Sequence, residues 1–219
     1  MTAELGGFWD SMLGEGRRWW ITANSDSHKR WSEGGREFWP GEYSKTYVFA
    51  DRNYDSILEA LRAGRVFVTT GDLVSELYVS VSTEAGDTAG IGGTLQMRAG
   101  QLVTIVIRVR DPDDKNAHRD SPRVSRVDLI KGLHHEAKAE ADRNMNPSAG
   151  VIRRFSADDW SRDGEFLTMT MQLQEVDSDF YIRVRGTSTD QLEPEPDSPG
   201  ENPWDDLWFY SNPVFVQVE

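Results

Sequence analysis

The chain has no cysteine. Disulfides, zinc–thiolate centres and thiol nucleophiles are therefore excluded, and thiol content says nothing about redox compartment. No apolar run reaches the roughly 18 residues that a membrane-spanning helix needs, so no membrane partner is expected. The opening residues, MTAELGGFWD, lack a basic stretch followed by an apolar one. No signal peptide is read there, and the default expectation is a soluble, cytoplasmic protein. Positive charge is in deficit: 24 Lys and Arg stand against 37 Asp and Glu, a formal net charge of −13. Such a chain repels a phosphate backbone, which argues against a nucleic-acid partner but leaves room for a small phosphorylated substrate held by a metal. Histidine is scarce as well. His28, His118, His134 and His135 are the full set, and no His-x-His occurs.

What is present is enough apolar material for a packed core, with 37% hydrophobic residues among 219. Residues 1–72 mix helical and strand signals. FWDSMLGEGRR (8–18) has helical spacing and ends in glycines and arginines. WWITAN (19–24), TYVFA (46–50) and RVFVTTG (65–71) read as strands, and NYDSILEALRAG (53–64) reads as a helix stopped by Gly64. Helices between strands suggest βα units in a largely parallel sheet. After Gly71 the pattern changes to period-two alternation. ELYVSVS (76–82), LVTIVIRVR (102–110), VSRVDLIKG (124–132), FLTMTMQL (166–173), DFYIRVRG (179–186) and PVFVQV (213–218) alternate apolar and polar side chains between polar turns. That is the pattern of an antiparallel β-sandwich spanning 73–219. Charge divides the same way: residues 1–72 carry 9 basic and 11 acidic groups, residues 73–219 carry 15 and 26.

The candidate chemistry lies in ITANSDSH (21–28), where a strand-like stretch ends in Asp26 and His28. Residues i and i+2 of a strand share a face, so this pair can turn one oxygen and one nitrogen toward a single cation. Both donor types suit Mn, Fe or Zn. Ser25, Asp26 and His28 are too close in sequence to form a hydrolytic serine triad. DPDDKNAHRD (111–120) has the look of a calcium loop, but Lys115 stands where a ligand is wanted, so a polar turn is expected. His134, His135 and Glu136 read as a solvated segment. The eight tryptophans, five of them in the first 40 residues, read mainly as packing residues.

Several stretches in one order resemble the PHP family, the polymerase-and-histidinol-phosphatase type of metal-dependent phosphoesterases. They are Trp9-Asp10-Ser11-Met12-Leu13, Ser25-Asp26-Ser27-His28, Pro40-Gly41 followed by Lys45-Thr46-Tyr47-Val48, and Ala60-Leu61-Arg62-Ala63-Gly64-Arg65. The terminal WFYSNPVFV (208–216) is similar to a strand closing the β-domain that follows the barrel in some relatives. The resemblance implies that residues 1–72 are the carboxyl-terminal portion of a βα barrel, with the sandwich appended. It also implies phosphoester hydrolysis at a divalent-metal centre, with Asp26 and His28 as ligands of the last motif.

The chain departs from the family at the earlier motifs, whose His-x-His and further ligands have no counterpart here. Two ligands cannot hold a multinuclear centre, so the chain alone is expected to be inactive. Arg30 and Lys45 are placed as phosphate-binding candidates by charge and proximity. Lys45 stands where the family has arginine, keeping a cation but losing bidentate geometry. Apolar surface that such a barrel would cover predicts a homo-oligomer joined through residues 1–70. The alternative of a different class is a non-enzymatic β-sandwich binding or assembly module.

Overall fold

A computed structural model describes residues 4–25, 27, 38–134, 144–195 and 201–219. In chain order the elements are helix α1 (Phe8–Gly14), strand β1 (Ser44–Val48), helix α2 (Tyr54–Arg62) and strands β2 (Val66–Thr70), β3 (Glu76–Thr83), β4 (Thr88–Gly90) and β5 (Thr94–Met97). Then come β6 (Gln101–Arg110), β7 (Arg126–Leu133), β8 (Gly150–Phe155), β9 (Ser161–Asp163), β10 (Phe166–Val176), β11 (Phe180–Thr187), β12 (Trp208–Ser211) and β13 (Val214–Val218). The protein is mainly β, as its alternation predicts. Among the described residues, no helix is long and apolar enough to cross a membrane.

One sheet runs β4-β3-β6-β10-β9, antiparallel throughout. Its alternation sets its inner face: Leu77, Val79 and Val81 of β3 and Val103, Ile105, Ile107 and Val109 of β6 are buried, with more exposed residues between them. The other sheet is organised around β11. Strand β7 flanks β11 from Phe180↔Leu133 to Thr187↔Arg126, and β8 extends that side. On the opposite side two short strands share the edge, β12 against Arg185–Thr187 and β13 against Phe180–Ile182. Beyond β12 lie β2 and β1, and β5 joins β13 in parallel. Apolar side chains of both sheets, including Leu77, Ile105, Val127, Phe180, Ile182 and Val214, form one shared core.

Two expectations for the front of the chain are corrected. Strands β1 and β2 do not form a parallel βα unit; they pair antiparallel from Ser44↔Thr70 to Val48↔Val66. The Phe49 N–H donates to the Arg65 carbonyl at 3.0 Å, so α2 sits inside a wide hairpin rather than a crossover. Residues 19–24, expected as a strand, join no ladder. Strand β2 pairs with β12 at Phe209↔Thr69, so residues 44–70 share one sheet with β7, β11 and β13.

Candidate functional site

The segment leading to Asp26 and His28 is a strap whose backbone is held by side chains. The Trp9 indole N–H donates to the Trp19 carbonyl at 2.9 Å, and the Phe8 and Trp19 rings meet 5.8 Å apart. The Trp20 indole donates to the Arg62 carbonyl at 2.8 Å. Its ring lies against Gly64, where a Cβ would come within 2.3 Å of it and where φ is +71°. Glycine is thus required there twice over, as helix stop and as floor for an indole.

Asn212 grips the next residue. Its Oδ1 accepts from the Ile21 N–H at 2.8 Å, and its Nδ2 donates to the Ile21 carbonyl at 3.5 Å. This asparagine is fully buried between β12 and β13, so the Ser-Asn-Pro-Val motif serves as a clamp. The Thr46 hydroxyl does the same at Ala23, accepting from its N–H and donating to its carbonyl, each at 2.9 Å. Arg18 lies 3.9 Å over the Phe215 ring and donates to Thr94 Oγ1 at 2.7 Å. Its burial pushes the guanidinium pKa below its ordinary value.

A strand satisfies its backbone with a neighbouring strand; this strap uses side chains from α1, β1 and the β12–β13 corner. Between Ala23–Ser25 and Ser44–Tyr47 lies an open groove of ≈ 440 Å³, bounded also by Pro40 and Gly41. Lys45 lines it and forms an ion pair with Asp72. The tight turn after β2, with Gly71 at φ +57° and Asp72 at φ +56°, turns that carboxylate toward Lys45. The Gly71 N–H donates to the Tyr43 carbonyl at 2.8 Å, tying the turn to the start of β1. Burial, and then the negative charge of Asp72, raise the Tyr47 pKa, so this phenol stays protonated.

Of the sequence-derived site residues, Lys45 is therefore in the groove that Ser25 also lines. Asp26, His28 and Arg30 lie outside the described residues. Ser27, between the two candidate ligands, has a buried hydroxyl without a hydrogen-bond partner among the described residues. Among those residues, no group of three His, Asp or Glu side chains is placed to hold a metal. The DPDDKNAHRD stretch is a polar turn: Asn116 donates to the Gly71 carbonyl at 3.2 Å, and His118 stacks on Trp204 while bonding Asp120 at 2.6 Å. His134 lies 3.6 Å from Asp179, and His135 and Glu136 lie outside the described residues.

Sequence reasoning missed Asn212 and Thr46 as strap clamps, and it missed a buried charge cluster. Asp10 of α1 accepts from Arg183 Nε and Nη2, both at 2.8 Å, from the Tyr181 hydroxyl at 2.9 Å and from the Gly6 N–H at 2.8 Å. Burial by itself raises the Asp10 pKa, but the Arg183, Gly6 and Tyr181 contacts outweigh it and hold this carboxyl below its usual range. The Trp9-Asp10 pair is the available signal, because a carboxylate on the apolar side of a helix needs a buried cation. The arrangement fixes α1, and with it Trp9, which anchors the strap. Comparisons of the chain with family models, curated proteins and solved structures give no match.

Proposed function

We propose that this chain carries the closing ligand motif of a PHP-type metal-dependent phosphoesterase and does not hydrolyse phosphoesters by itself. The observation that carries the reading is the clamped strap. Three clamps from distant parts of the chain, Trp9, Asn212 and Thr46, hold an irregular segment that leads directly into Ser25-Asp26-Ser27-His28. Fixing a non-ladder backbone in this way is what a ligand-bearing segment requires, since metal ligands must be preorganised.

The donor set fits one Mn, Fe or Zn ion through one carboxylate oxygen and one imidazole nitrogen, with the remaining coordination left to groups outside the pair. When bound in a complete centre, such a metal supplies an activated water and charge stabilisation for phosphoryl transfer. This chain's own contribution is to orient Asp26 and His28, and to offer Lys45 and Arg30 as cations toward a phosphate. Lys45 pairs with Asp72 and retains further N–H donors for an incoming oxygen.

A second reading, a non-enzymatic binding or assembly module, is favoured by the continuity of β2 with β12, which joins the front segment to the same sheet as the rest. Hydrolysis of p-nitrophenyl phosphate and its diester, with added Mn, Fe or Zn and with or without chelator, tests the proposal. No chelator-sensitive turnover is expected from the purified 219-residue chain. Chelator-sensitive turnover abolished by D26N would overturn the claim of incompetence.

A further inference from the structure

We propose that α2 forms the centre of a twofold interface between two copies of this chain. This goes beyond the phosphoesterase reading and stands independently of it. The helix is stably built: Asn53 caps it by accepting from the Ser56 N–H at 2.9 Å, and its own Ala60 is fully buried. Its apolar surface nevertheless turns outward. Ile57 and Leu61 are half-buried, while Tyr54 is 88% and Leu58 46% exposed. Residues 54, 58 and 61 share one stripe of a helix. Trp20 of the strap, half-buried, ties the end of this helix down through its bond to the Arg62 carbonyl.

Charge identifies the occupant. Asp55 and Arg62 are exposed, lie seven residues apart on the flank next to that stripe, and have no ion-pair partner among the described residues. Glu59, further round the helix on the same side, is already paired with Arg65 at 3.1 Å. An antiparallel pairing of two α2 helices about a twofold near Leu58 matches Asp55 of each copy with Arg62 of the other. A surface acidic at one end and basic at the other is self-complementary in that arrangement. A nine-residue helix offers a small contact, so the dimer is weak and concentration-dependent.

Sedimentation equilibrium over a wide concentration range tests the proposal, with circular dichroism melts confirming that each variant folds. Wild type is expected to show a monomer–dimer equilibrium that Leu58→Glu abolishes. Asp55→Arg and Arg62→Asp should each weaken association about fivefold, from two repelling flank pairs. An equimolar mixture of the two charge variants should restore it. In the mixed dimer the arginine introduced into one copy faces the aspartate introduced into the other, and the two native groups face each other at the opposite end. A monomer at every concentration, a dimer unaffected by Leu58→Glu, or a mixture that fails to recover would overturn the proposal.

Discussion

Strand β11 has two faces that are both fully buried, yet they are stabilised by different physics. Its inner face, Phe180, Ile182 and Val184, packs into the core shared by the two sheets. Its outer face is Tyr181, Arg183 and Arg185, each at most 1% exposed. That face is covered by α1, whose Asp10 meets Arg183 and Tyr181, and by residues 190–193, where Glu193 meets Arg185 at 2.6 Å. Asp128 completes the second cluster, accepting from Arg185 at 3.0 Å and from Arg126 at 2.8 Å. The inner face gains from removing apolar area from water, which any side chain of suitable size and shape provides. The outer face loses the hydration of its charges and recovers it only through specific partners, so its stability depends on each partner being present.

The largest expected effect comes from breaking the outer face at one partner. Asp10→Ala leaves Arg183 buried and uncompensated and should cost about 3–5 kcal/mol in urea unfolding. Ile182→Ala on the inner face should cost about 2–5 kcal/mol by leaving a cavity. The faces separate in the double variant: Asp10→Leu with Arg183→Met should recover most of the loss, because both charges are then gone. A double variant as unstable as Asp10→Ala would show that the pair is not what holds α1 down. The pH dependence sharpens the contrast. Because the folded pKa of Asp10 lies below its unfolded value, its contribution is complete above about pH 4 and is lost as pH falls through the folded value. The stability gap between wild type and Asp10→Asn should therefore narrow in acid, whereas the gap for Ile182→Ala should not.

The smallest of these effects concerns the strap, which lies at the margin of the outer face. Asn212→Ala removes both bonds to Ile21 and should cost about 1–3 kcal/mol, with faster amide exchange confined to residues around 19–25. Exchange spread evenly over the sheets would contradict the clamp assignment.

Much of the sheet structure was legible because alternation reports a face that must be buried. β3, β6, β10 and β11 all fall within a few residues of their predicted spans. The strands β4, β5 and β9, with three or four residues each, are too short to carry a period. The direction of β1 against β2 was not legible, since a connection of this length allows a crossover or a wide hairpin. The composition of WWITAN suits extended backbone, but nothing local shows that its bonds go to Asn212 and Thr46, 191 and 23 residues away. The same limit hid the outer face of β11. Arg183 and Arg185 alternate like solvent-facing residues, and only their long-range acids explain their burial. For the candidate site, the order of motifs was legible, and the means of holding the strap was not.

Whether the strap presents one incomplete cation site through Asp26 and His28 can be decided by titrating the 219-residue chain with Mn(II), read by the loss of the free-ion EPR signal. A single weak site is expected, and Asp26→Asn and His28→Gln should each abolish it. A tight multinuclear site, or no binding that depends on these two residues, would contradict that assignment.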